Sequence, residues 1–89
     1  MYKIIFSKET DKDKKKIKSA GLEEKTKVIL NIVAQNPYDS SYLFEKLKGD
    51  LNNYFFRRIN LQNRLVYSVD EEKKEVFVVR MWSHYDKVK

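Results

Sequence analysis

Three apolar runs near the C-terminus constrain the fold most. They are "YFFRRI" (Tyr54–Ile59), "RLVYSV" (Arg64–Val69) and "EVFVVRMW" (Glu75–Trp82). Each is rich in β-branched and aromatic residues and reads as a strand. The connectors "NLQN" and "DEEKK" are short enough for antiparallel hairpins. A three-stranded meander of this kind must bury one face, and the rest of the chain has to supply the cover.

The first half supplies it. "YKIIF" (Tyr2–Phe6) is a further strand, and Ser7 is placed to cap the helix that follows. In "KETDKDKKKIKSA" only Ile17 and Ala20 offer an inward face, and Gly21 is a natural C-cap. The second helix is better marked: Leu22, Val28, Ile29, Ile32 and Val33 recur at helical spacing, and Asn36-Pro37 stops it. "PYDSSYLFEKLKGDLNN" reads as a loop from its Pro, Asp, Ser, Gly and Asn content. The order is β-α-α-β-β-β. It predicts an α+β fold, one domain over residues 1–89, with a helical hairpin on one face of a small antiparallel sheet. A sheet covered on one side leaves the other open for a ligand.

Charge narrows the choice of ligand. Nineteen Lys and Arg against thirteen Asp and Glu give a net +6. That balance suits a polyanion such as nucleic acid, although Lys-rich surfaces also serve solubility alone. The chain has no cysteine, which excludes a thiol nucleophile and suits a reducing cytoplasm. A single histidine argues against an all-protein zinc site, and no metal or cofactor is expected. There is no apolar run of about 18 residues to cross a membrane, and the N-terminal apolar run is too short for a signal peptide. A cytoplasmic location is expected.

Alternation divides the strand residues between two faces. Leu65, Tyr67 and Val69 point one way, and Arg64, Val66 and Ser68 the other. On the last strand Phe77, Val79 and Met81 share a side, opposite Val76, Val78, Arg80, Trp82 and His84. If the first sets face the helices, Arg64, Arg80 and His84 face outward. Arg58 shares parity with Tyr54 and Phe56. Loops reset parity between strands, so alternation alone does not unite these residues on one surface.

Such a surface would hold guanidinium forks for phosphate. Its aromatic planes, Trp82 and Tyr85, would suit unstacked bases. It would also hold one group that titrates near neutrality. RNA cleavage by attack of a 2′-hydroxyl requires a base, an acid and cationic donors. His84 fits the acid, Arg58 and Arg64 the donors, and Glu45 in "FEKLKGD" the base, with Lys46 and Lys48 beside it. Each residue also has an ordinary reading. His84 also reads as a surface residue near a terminus, "FFRRI" as a strand with paired surface charges, Trp82 as a core residue, and Glu45 as one acid among thirteen.

The segment "FEKLKGDL...YFFRRINLQNRLVYSVD...VFVVRMWSHYD" resembles the toxins of the Txe/YoeB family, within the RelE-like group. The resemblance covers Phe44 to Asp86 through Glu-x-Leu-Lys, Arg-Arg-Ile, Arg-Leu-Val-Tyr and Ser-His-Tyr. The first half matches only in element order. The resemblance implies an endonuclease that cuts mRNA in the ribosomal A site. It also implies a cognate YefM/Axe-like antitoxin, an optional homodimer, no membrane partner and no cofactor. By position it makes Glu45 the general base, His84 the general acid and Tyr85 its aromatic neighbour. Arg64 and Arg58 fall on phosphate-stabilising arginines, and Lys48 on a basic residue of the same site. Arg80 is expected among the RNA contacts from its place on the outward face.

Two departures stand out. Asn63 occupies a position where several relatives have histidine, and "DKVK" extends beyond His84-Tyr85. Two other classes compete with the enzyme. One is a non-catalytic RNA- or ribosome-binding module on the same basic face. The other is a protein-targeting toxin on the same scaffold, which would have no need of an acid–base pair.

Overall fold

The computed structural model describes residues 1–39, 44–45 and 54–83. The elements are β1 (Lys3–Phe6), α1 (Thr10–Ser19), α2 (Glu23–Gln35), β2 (Phe44–Glu45), β3 (Phe55–Arg58), β4 (Arg64–Asp70) and β5 (Glu75–Ser83). They build an α+β fold around one five-stranded sheet of order β1-β5-β4-β3-β2. The expected hairpins β3–β4 and β4–β5 are antiparallel.

Two features of the sheet depart from expectation. β1 runs parallel to β5, with Ile4 opposite Val76 and Phe6 opposite Val78, so the sheet is mixed. The helical hairpin carries the chain off the sheet after β1, which removes the tight turn that would force antiparallel pairing. In addition, Phe44 and Glu45, read as loop, form a short edge strand opposite Arg57 and Phe56.

The turn between the helices follows the expected chemistry. Gly21 has φ +72°, the left-handed region where a Cβ is costly. Its N–H donates to the Lys18 carbonyl at 3.1 Å, and the Leu22 N–H donates to Ile17 at 3.0 Å. These two bonds form a Schellman cap, with Leu22 and Ile17 both packed into the core beside it. Ser7 behaves differently from its expected role as a cap. Its hydroxyl donates to the Val79 carbonyl at 2.7 Å, and its carbonyl accepts from the Thr10 N–H at 3.2 Å. The residue therefore joins the start of α1 to β5.

The inward face of α1 is Thr10, Asp13 and Ile17, while Ala20 is exposed. On α2 it is Thr26, Ile29 and Val33, while Val28 is 49% exposed. Ile17, Ile29 and Val33 pack with Leu65, Tyr67, Val76, Val78 and Met81 in the main core. A smaller cluster of Phe56 and Val66, flanked by Tyr54 and Val79, lies apart from it. The alternation read for β4 is therefore right, but that for β5 is reversed over its first half. Val76 and Val78 face the helices, whereas Phe77 is exposed and Val79 joins the small cluster. Two register shifts in the β4–β5 ladder then bring Met81 into the main core. Extra residues of this kind re-aim side chains, and strict period-2 counting cannot anticipate them.

Candidate active-site edge of the sheet

The ladder register assembles one end of the sheet. Arg58 lies opposite Arg64, and Arg64 opposite Ser83. Glu45 pairs with Phe56, two residues before Arg58 on the same strand. With neighbouring strands about 4.8 Å apart, the Arg58 and Ser83 backbones are about 10 Å apart. Glu45 is therefore placed by its strand position. His84 and Tyr85 follow Ser83 in sequence and, with Lys48, lie outside the described residues.

The two arginines differ in setting. Arg58 is exposed, while Arg64 is only 8% exposed. Arg64 Nη1 donates to the carbonyls of Asn60 and Leu61, both at 3.4 Å. Those carbonyls belong to a turn organised by Asn60, whose Oδ1 accepts from the Gln62 and Asn63 N–H groups at 2.9 and 2.7 Å. The Asn63 carbonyl closes the turn by accepting from Ile59 at 3.0 Å. The turn thus fixes the Arg64 guanidinium against its own backbone. Directly opposed like charges repel across a strand pair, and guanidinium groups stay charged. Arg58 opposite Arg64 therefore gathers two cations at this end of the sheet.

Arg57, the neighbour in "FFRRI", has a role the sequence did not suggest. It is fully buried. Its Nη2 donates to the Asp39 carbonyl at 2.6 Å and, at 3.5 Å, to that of Pro37. Its Nε donates to the Tyr67 hydroxyl at 3.3 Å, and the guanidinium sits 5.0 Å from the Phe44 ring centroid. The Tyr67 hydroxyl donates in turn to Pro37 at 2.6 Å. Burial raises the Tyr67 pKa against the opposing influence of Arg57. Arg57 therefore ties the segment after α2, and the edge strand carrying Glu45, to the middle of the sheet. Its parity with Phe55, opposite to that of Arg58, was the available signal.

Arg80 does not take the outward place expected for it. Its Nε and Nη2 donate to the two Asp13 oxygens at 2.9 and 3.0 Å. The Met81 N–H donates to the same carboxylate at 2.9 Å. Arg80 shares parity with Val76 and Val78, which face the helices, so it meets α1 rather than the open face. Asp13 is fully buried. Burial works against its ionisation, but the Arg80 and backbone hydrogen bonds outweigh it and hold the pKa below 3.8. The sequence reading missed Asp13, although its spacing from Thr10 and Ile17 places it on the inward line of α1.

Comparison with known proteins now identifies the family. The family described as "YoeB-like toxin of bacterial type II toxin-antitoxin system" matches residues 6–85. The chain belongs to the YoeB-like toxins. It is 31% identical over 75 residues to Toxin YoeB of Synechocystis sp., covering 84% of this chain and 78% of that protein. It is similar to the Staphylococcus aureus YoeB-YefM complex (30% identity, TM-score 0.75, 96% of this chain and 99% of that one). The Staphylococcus aureus YoeB dimer is also similar (30% identity, TM-score 0.78, 94% and 98%).

In this YoeB-like toxin Asn63 is buried and closes the β3–β4 turn. Trp82 is partly buried and packs against the main core, in line with its core reading. No helix among the described residues is long and apolar enough to cross a membrane.

Proposed function

We propose that this YoeB-like toxin is an mRNA endonuclease acting in the ribosomal A site, and that a YefM-like antitoxin neutralises it. The observation that carries this reading is the ladder register. It aligns Arg58, Arg64 and the end of β5 in one row and sets Glu45 two residues away on the adjacent edge. Phosphate bound there would meet two guanidinium-bearing residues side by side.

In this mechanism Glu45 removes the proton from a 2′-hydroxyl. The resulting oxygen attacks the adjacent phosphorus and forms a 2′,3′-cyclic phosphate. The P–O5′ bond breaks, and His84 protonates the departing 5′ oxygen. Arg58, Arg64 and Lys48 stabilise charge on the phosphoryl oxygens, and Tyr85 positions the histidine or stacks on a base. A glutamate among cations is a weakened base. Positioning of the mRNA by the ribosome compensates, so free RNA is a poor substrate. The Staphylococcus aureus YoeB-YefM complex supports an antitoxin as partner, and the YoeB dimer supports self-association.

The test is cleavage of end-labelled mRNA on programmed ribosomes with an empty A site, for wild type, Glu45→Gln and His84→Gln. Cutting only on ribosomes, lost in both variants, is expected. Ribosome binding by wild type without any cutting would replace the enzyme with a non-catalytic ribosome-binding module.

A further inference from the structure

We propose that the groove between α1 and the second half of β5 is a separate RNA-binding surface that holds the sugar–phosphate backbone of structured RNA. It is lined by Lys8, Glu9, Lys12, Asp13, Lys16 and Arg80 and encloses about 490 Å³. At Lys16 it meets a second depression of about 410 Å³ whose far wall is Trp82. Together they run along α1 from Lys8 to Ala20.

Three properties make this a site rather than a solvated helix face. Lys12 and Lys16 lie one turn apart on α1, about 6 Å along its axis, and Lys8 lines the same groove from the segment just before the helix. Like charges at that spacing destabilise a helix, and α1 has little apolar surface to offset them. The floor is also rigid. Arg80 is held by two hydrogen bonds to buried Asp13, which fixes a guanidinium at the groove with its counter-charge turned inward. Finally, Trp82 is partly buried and lines the second depression beside Lys15 and Lys16, where a base can stack.

The lining favours RNA over an acidic protein segment. All six residues of the larger groove are charged, four cations against two carboxylates. A peptide gains most of its affinity from apolar anchors seated in pockets, and these residues provide none. A phosphate backbone needs only cations in a row. The inference stands on the groove itself, and RNA would bind there whether or not the sheet edge cuts it.

The experiment measures binding of the full-length protein to a fluorescein-labelled RNA hairpin with an A-form stem. Fluorescence anisotropy follows binding across a KCl series. Lys12→Gln/Lys16→Gln is compared with Lys3→Gln/Lys73→Gln, which removes the same charge from exposed positions outside the groove. The groove variant is expected to lose about tenfold in affinity at moderate salt and to flatten the salt slope by about 1.5 to 2, while the control loses less than about threefold. Equal losses in the two variants would overturn the proposal by reducing it to net charge. So would unchanged hairpin binding together with lost binding of a polyglutamate peptide, which would assign the groove to an acidic protein segment. Hairpin binding that depends on Lys12 and Lys16 in a protein that never cuts on ribosomes would support this proposal and sink the cleavage reading alone.

Discussion

Removing Arg80 should harm this fold more than removing its partner Asp13. Arg80→Met keeps much of the side-chain volume but takes away both donors to a carboxylate that is fully buried. What remains for Asp13 is the Met81 N–H at 2.9 Å and the Trp82 backbone. Breaking a buried pair in this direction costs about 3–5 kcal/mol. The Arg80 side chain is 36% exposed, so solvent screens part of the attraction; a loss of about 2–4 kcal/mol is expected. Asp13→Asn preserves an acceptor for Met81 and lets Arg80 return to water, for about 1–2 kcal/mol. The signs with pH also differ. In wild type Asp13 has a folded pKa below 3.8, so its contribution is present above that value and lost as pH falls through the folded pKa. In Arg80→Met the burial is opposed only by backbone N–H groups, so the folded pKa rises, and the defect is greatest at pH 7 and shrinks on acidification as Asp13 takes up a proton. Urea unfolding at pH 7 and pH 4.5, followed by circular dichroism, measures both effects. The reasoning is refuted if Arg80→Met costs less than about 1 kcal/mol, or the same at both pH values.

Arg57→Met should cost about 2–4 kcal/mol in the same assay, because the carbonyls of Pro37 and Asp39 lose a charged donor. It should also lower ribosome-dependent cutting through the displaced edge strand, with kcat falling more than KM rises; unchanged stability would refute this. Glu71 accepts hydrogen bonds from Lys74, Tyr38 and Tyr2, which lower its pKa to about 2. An NMR titration should find that midpoint, with the contacts intact above pH 4.5 and released only as pH approaches 2; a midpoint above 4 would remove the clasp between the N-terminal strand and the β4–β5 turn. Gly21→Ala meets nothing within 4 Å, so only the backbone strain at φ +72° remains. It should lower stability by about 1 kcal/mol with activity unchanged, and an unaltered urea midpoint would contradict it.

The sequence by itself determined the class of fold and the meander. Apolar runs of strand length separated by four- or five-residue connectors leave few alternatives, and Gly21 after a helix fixes its turn by backbone sterics alone. Arg58 and Arg64 come together only through the β3–β4 register, which sets them opposite each other across the turn. The tertiary structure decided what alternation could not. The parallel pairing of β1 depends on the whole helical hairpin, and the two-residue strand at Phe44–Glu45 exists through its pairing with β3. The packing of Val76 and Val78 against the helices carried Arg80, which shares their parity, from an expected outward place to Asp13. In "FFRRI" the two arginines carry the same charge and differ only in parity. One is buried as a structural tie and the other stands exposed at the sheet end, because burial of a charge is set by the partners that three-dimensional packing delivers.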